Sequence, residues 1–320
     1  MLFRRQALGI LAGTVVSLAA CRKQQTASKT VKVQLNWVPE PEFGGLYEAR
    51  ASGAFSNEGL DVELVGGGAS SPVVQIVASG QADFGVAAGE EVAVARVRGV
   101  DLVAIYATYQ TSPQGIMVHA SRGLHRLEDL RGGTLALETG APFGMFVQAK
   151  CALEGVTLVS NDGGVAKFLH DKGYAQQCYV TSEPIAAKKQ GGDPQVFSAP
   201  SIGFDPYANV LVCRGALLKT RPDRVRAFVR AVTEGWKAYL ASPDRANEVM
   251  AVQNRAMDRA TFAEIAEVQR PLIESNDTKA RGLGAMRLER WKTLVDQLVS
   301  IKAIPDREVL SPESCFHWPA

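Results

Sequence analysis

Beyond residue 21 this chain of 320 residues lacks any apolar run near the roughly 20 residues that a membrane-spanning helix needs, so no span is expected in its body. An excess of one charge is missing too. The formal net charge is +2, and setting aside Arg4, Arg5, Arg22, Lys23 and Lys29 leaves about −3 for the rest. No basic face suggests nucleic acid, and none is expected as a partner. Histidine is scarce: His119, His125, His170 and His317 show neither metal-ligand spacing nor a nearby nucleophile motif. None of the five cysteines forms a CxxC pair, which argues against a metal site or thioredoxin-like chemistry. Asp162-Gly163-Gly164 is glycine-rich but lacks the lysine of a phosphate-binding loop. No metal, cofactor or enzymatic activity is therefore expected, and the chain has no internal repeat.

What is present begins at the N-terminus. Met1 to Arg5 is short and basic, and the fourteen residues Ala7 to Ala20 are uncharged and mostly apolar. That core is too short to stay in a bilayer and suits an export signal. Leu18-Ala19-Ala20-Cys21 follows and resembles a lipobox, whose small residues fit a signal peptidase and whose cysteine thiol takes a diacylglycerol. The adjacent Arg4-Arg5 leaves general or twin-arginine export open. Residues 1–20 are expected to be a removed leader, and residues 21–30 a polar tether. Cys21 would fix an exported protein to a membrane, at the periplasmic or outer cell surface. An oxidising compartment permits a disulfide among Cys151, Cys178, Cys213 and Cys315, for example Cys151 with Cys178, but spacing does not fix the pairing.

The body has 46% hydrophobic and 21% charged residues over the whole chain, ordinary for a packed protein. Its remaining ~290 residues exceed a usual single domain and predict two lobes. Strand signatures at Val31 to Leu35, Asp61 to Val65, Ala82 to Val86 and Leu102 to Tyr106 alternate with helices near 43–52, 72–78 and 90–98. A second series has strands at Ile116 to His119, Thr134 to Leu137, Cys178 to Thr181 and Gln195 to Ser198. From Arg221 onward four helices are predicted, over 222–239, 243–253, 259–273 and 286–301. The fold class is α/β, with two lobes around a cleft and a helical C-terminal part. The expected division is 31–115 for the first part of lobe 1, 116–210 for lobe 2, and 211–320 for the completion of lobe 1.

Val33-Gln34-Leu35-Asn36-Trp37-Val38-Pro39-Glu40-Pro41 resembles a segment of the substrate-binding proteins of the thiamine-pyrimidine and alkanesulfonate family. Gly45-Leu46-Tyr47-Glu48-Ala49, Gly53-Ala54-Phe55, Glu58-Gly59-Leu60-Asp61-Val62 and Ser79-Gly80-Gln81-Ala82-Asp83-Phe84-Gly85 extend the likeness. Thr181-Ser182-Glu183-Pro184 and Asp205-Pro206-Tyr207 resemble later positions of the pyrimidine-binding branch. The likeness spans nearly all of the chain after the tether. It implies a periplasmic-binding-protein fold with crossovers near 111–117 and 209–213. It also implies a monomer that hands a small molecule to the permease and ATPase subunits of an ABC importer. The same family includes a pyrimidine synthase that uses pyridoxal phosphate and consumes its own histidine. Here Ala87 stands at its lysine position and Glu91 at its histidine position, and its cysteine-rich motif is missing before Leu211-Val212-Cys213.

Ligand-binding candidates follow from position. Asn36 and Trp37 sit in a loop after a strand, where α/β folds place ligands, and the indole either stacks on a flat heterocycle or plugs loop against helix. Phe43 and Tyr47 share one helix face, and Tyr109 and Tyr207 precede the two crossovers; each is a cleft wall or plain packing. Glu90 and Glu91 open a helix, where a carboxylate either pairs with a ring nitrogen or amino group or answers the helix dipole. Glu40 and Glu42 are ligand contacts or solvated loop charges. Thr139 and Gly140, then Ser182 and Glu183, occupy equivalent loops of the second lobe. The acids disfavour an anion near them. The expected cargo is a small nitrogen heterocycle such as a thiamine-pyrimidine precursor of formylaminopyrimidine type. Riboflavin, an alkanesulfonate or another aromatic solute is the alternative, and an exported enzyme or sensor subunit is the alternative of another class.

Overall fold

The structure, a computed structural model, describes residues 30–68, 71–305 and 310–318. The expected leader, Cys21 and all but the last residue of the tether lie outside them. Two five-stranded sheets form the body. The first contains β1 (Val31–Gln34), β2 (Val62–Val65), β3 (Phe84–Ala87), β4 (Leu102–Tyr109) and β10 (Ala208–Arg214), in the order β2-β1-β3-β10-β4. The second contains β5 (Gln114–His119), β6 (Thr134–Leu137), β7 (Thr157–Ser160), β8 (Tyr174–Tyr179) and β9 (Pro194–Ser198), in the order β7-β6-β8-β5-β9.

The two sheets share one plan. In each, four strands run in one direction and the fifth, entering from a crossing of the chain, runs antiparallel between two of them: β10 between β3 and β4, and β5 between β8 and β9. The crossings are residues 110–113 and 199–207. They fall a few residues before the breaks read from sequence, because the crossing strands are themselves hydrogen-bonded into the sheets they reach.

Helices cover the sheets because their apolar residues recur with helical period. In α9 (Pro222–Ala241) a proline in the first turn starts the helix, and Val225, Phe228, Val229, Val232, Trp236 and Tyr239 point into one core. That helix lies on α1 (Gly44–Ala51). A Cβ on Gly235 would stand 2.1 Å from the Gly45 carbonyl oxygen, so only glycine permits this approach. On the opposite face of the first sheet, α3 (Val73–Ala78), α4 (Gly89–Val97) and α13 (Leu288–Ser300) pack through Val77, Val92, Leu294 and Leu298. The remaining helices complete the body: α2 (Ala54–Asn57), α5 (Pro142–Lys150), α6 (Ala166–His170), α7 (Glu183–Lys189), α8 (Gly215–Thr220), α10 (Asp244–Gln253), α11 (Arg259–Ile273) and α12 (Asn276–Arg281).

Cys151, Cys178, Cys213 and Cys315 are all buried free thiols. The Cys151–Cys178 bridge that sequence permits is not formed: Cys151 packs beneath the end of α5, whereas Cys178 lies on β8 in a separate apolar cluster. No helix among the described residues is long and apolar enough to cross a membrane.

Candidate functional site

Between the sheets lies a cavity of about 750 Å³, built from loops at the strand ends. After β1 the chain runs through Asn36 and Trp37 to a single 3-10 turn, Pro41–Phe43, which carries Glu42 into the interior. This loop is pinned from behind. Gln34 Nε2 donates to the carbonyls of Leu35 and Gly66, at 3.0 and 3.2 Å, and Gly67 N–H donates to the Trp37 carbonyl at 2.9 Å. At the N-terminus of α4, Glu91 accepts the Ala88 N–H at 2.8 Å and so serves the helix end. Glu90 turns the other way. Its Oε1 accepts from Gln114 Nε2 at 3.0 Å, while its Oε2 is buried without a partner, as are the side-chain oxygens of Gln114 and Asn36.

The second sheet supplies the facing wall. Glu138, Thr139 and Gly140 follow β6, and Gly140 takes a left-handed φ of 74° that turns the loop into α5. Gln177 Oε1 accepts the Glu138 N–H at 3.1 Å, and Thr139 Oγ1 meets Ser160 Oγ at 2.8 Å. Past β8, Glu183 accepts the Tyr179 N–H at 2.7 Å, and Tyr179 donates its hydroxyl to Asn209 Oδ1 at 3.3 Å.

Besides Glu90–Gln114 and Tyr179–Asn209, further contacts bridge the walls. Ser182 Oγ donates to Glu40 Oε2 at 3.4 Å, and the Trp37 ring lies against Gly163. Lys189, at the end of α7, reaches Thr261 Oγ1 at 2.5 Å and Glu264 at 3.3 Å on α11. Burial raises the carboxyl pKa values across this space. Glu40 is pushed up to about 7 by desolvation and by the charge of Glu183. Glu90 and Glu183 are also pushed up to about 7, chiefly by burial, and Glu42 is held well above the ordinary range by burial and Glu40. Glu91 and Glu138 complete a lining of six carboxyl groups. Such a wall favours an amino-bearing or cationic guest and repels an anion placed against it.

Residues 40–246 match the family described as NMT1/THI5 like. The chain belongs to that family. Among similar proteins, the formylaminopyrimidine-binding protein of Halalkalibacterium halodurans is 25% identical over 89% of this chain and 90% of its own. The riboflavin-binding protein RibY of Chloroflexus aurantiacus is 26% identical over 83% of this chain and 79% of its own. A Saccharomyces cerevisiae protein named 4-amino-5-hydroxymethyl-2-methylpyrimidine phosphate synthase is 24% identical over 66% of this chain and 67% of its own. The periplasmic aliphatic sulphonate binding protein SsuA of Escherichia coli matches with a TM-score of 0.71 at 11% identity, over 92% of this chain and 94% of that one. The architecture is thus the periplasmic-binding-protein fold expected from sequence.

Within this NMT1/THI5-like cleft, Asn36, Trp37, Glu90, Glu91, Thr139, Gly140, Ser182 and Glu183 all line the cavity. Phe43, Tyr47, Tyr109 and Tyr207 do not; they are buried in the cores, and the three tyrosine hydroxyls already have partners. Tyr47 donates to Gln253 at 3.1 Å and Tyr109 to Gln269 at 2.7 Å. Tyr207 accepts the Arg287 N–H at 2.9 Å while the Arg290 guanidinium lies 4.1 Å from its ring centroid. Sequence reasoning passed over Gln114, Asn161, Gln177 and Tyr179. Their only signal was position, at or just beyond strand ends that face the cleft. The lining has no histidine among the described residues, and burial holds its one thiol, Cys178, well above the usual thiol range.

Proposed function

We propose that this protein is the solute-binding component of an ABC importer and captures a small nitrogen heterocycle, of the formylaminopyrimidine type, in the cleft between its sheets. The observation that carries the reading is the buried Glu90 Oε2, unpartnered beside Gln114 in a cavity lined by carboxyl groups and by Trp37. An unsatisfied buried acceptor costs about 1–3 kcal/mol, which a ring N–H or amino group would recover by donating to it. Trp37 supplies the flat face for stacking. The likeness to the formylaminopyrimidine-binding protein supports the ligand class, and that to RibY keeps riboflavin as the second reading. Ala87 at the end of β3 offers no amine for a Schiff base, and Glu91 is committed to its helix end, which supports binding over synthesis.

Residues 1–20 as an export leader and Cys21 as the lipidated residue belong to the same reading. They rest on the basic start, the short apolar core and the small residues before the cysteine. The lobes would then be 31–115 with 211–320, and 116–210, adjusted to the crossings at 110–113 and 199–207.

Calorimetric titration with formylaminopyrimidine, hydroxymethylpyrimidine, thiamine, riboflavin and a short alkanesulfonate tests the ligand class. Micromolar or tighter binding of a heterocycle with no heat from the sulfonate is the expected result. Binding of the sulfonate alone would overturn it.

A further inference from the structure

The cavity does not end at the acidic wall. It extends over an apolar stretch formed by Val74 and Ala78 of α3, Val94 of α4, and Ala303, and it also touches Arg98 and Lys302. Neither cation makes an ion pair among the described residues. Arg98 caps the C-terminal end of α4, where a cation also answers the helix dipole. Lys302 comes from a different element, the turn after α13, where it holds a left-handed φ of 59°. The helix dipole of α4 does not explain why that turn brings a second cation to the same cavity.

The two ends are therefore opposite in character. Glu91 at one end and Arg98 at the other are seven residues apart on one continuous helix, a rise of roughly 10 Å. Glu90 Oε2 waits for a donor at the acidic end, and the stretch between is mostly apolar, with Gln75 of α3 as its amide side chain. A guest that uses the whole cavity needs a donor-bearing ring, an apolar or weakly polar spacer, and an anion at the far end. Two cations from separate elements suit a doubly charged oxyanion better than a single negative charge.

We propose that the cargo is a nitrogen heterocycle carrying a phosphate monoester roughly 10 Å from its ring, with the ring against Glu90 and the phosphate between Arg98 and Lys302. This rests on the heterocycle reading above and specifies the substrate class within it.

The test compares each free compound with its phosphate ester on the mature chain: thiamine with thiamine monophosphate, and riboflavin with riboflavin 5′-phosphate. The ester of at least one pair should bind on the order of tenfold more tightly at low salt, and the advantage should shrink as salt screens it. In the double variant Arg98→Gln/Lys302→Gln the advantage should vanish, with an unchanged thermal melt showing that the fold persists. If the free heterocycles bind but their esters gain nothing, or if the double variant keeps the advantage, the phosphate assignment falls while the heterocycle reading stands. If no member of either pair binds and the unphosphorylated pyrimidines also fail, both fall together.

Discussion

Trp37 and Gly163 meet across the cleft: a Cβ on Gly163 would stand 2.9 Å from the indole Cη2, and Gly163 itself holds a left-handed φ of 75°. The loop after β1 thus rests its aromatic ring on the backbone of the second sheet's side. Trp37→Ala removes both the stacking face and this contact. It should weaken heterocycle binding roughly 5- to 150-fold, the range of a lost base–aromatic stack of about 1–3 kcal/mol. Calorimetry measures the loss and a thermal melt shows that the fold is unaffected. Affinity retained within twofold would place the ring elsewhere.

Gly163→Ala should act differently. The residue must leave its left-handed conformation or accept about 1–2 kcal/mol of strain, and the new methyl pushes the indole away. The expected result is a several-fold weaker affinity, read by the quench of tryptophan fluorescence on titration.

The raised carboxyl pKa values make both stability and binding depend on pH. Glu40, Glu90 and Glu183 sit at about 7 in the fold, above the ordinary 4.5. A carboxyl group raised in this way stabilises the fold fully below its unfolded value, and that contribution fades as pH rises through about 7. The free protein should therefore melt at a lower temperature at pH ~8 than at pH ~5.5. A fixed cation favours the ionised carboxylates, so thiamine should bind more tightly as pH rises through about 7 and should release protons on binding below it. Titrations in two buffers of different ionisation enthalpy read that release directly. An affinity flat across this range would show that these groups do not face the ligand.

Lys189 is the longest reach between the walls, from α7 to Thr261 and Glu264. The other end of α7 holds Ser182 and Glu183, so one short helix links the cavity wall to the bridge. Lys189→Ala should raise the ligand dissociation rate by up to about fivefold, the scale of one partly exposed ion pair, and leave association nearly unchanged. Surface plasmon resonance separates the two rates.

Gly235→Ala tests the packing of α9 on α1. The methyl would stand 2.1 Å from the Gly45 carbonyl oxygen and 2.6 Å from the Ala49 Cβ. Overpacking of this kind costs about 1–3 kcal/mol, so a lowered melting temperature is expected, while the ligand affinity of the folded fraction stays as it was.

Much of this fold was legible because its periodicities are local. Helix 259–273 has the bounds its apolar repeat of 3.6 predicts, and strand Thr134 to Leu137 has those of its short apolar run, buried at Leu135, Ala136 and Leu137. Strand Tyr174–Tyr179 was placed four residues too late. Its run includes Gln176 and Gln177, polar yet buried, so no alternation marks it. Strand Thr157–Ser160 was missed because all four residues are exposed at a sheet edge, where nothing forces an inward face. The cleft loops were found from their place after strands. The aromatic residues were not sorted correctly, because both a core and a cleft bury a ring.

The sequence by itself determined the α/β alternation, the family likeness and the loops that reach the cleft, since each is written in neighbouring residues. Only the tertiary structure decided which side chains face the cavity. Tyr109 turns to Gln269, 160 residues away, and Glu90 turns to Gln114 with one oxygen left over. Such choices depend on hydrogen-bond partners and burial supplied by distant segments, and no local pattern carries them.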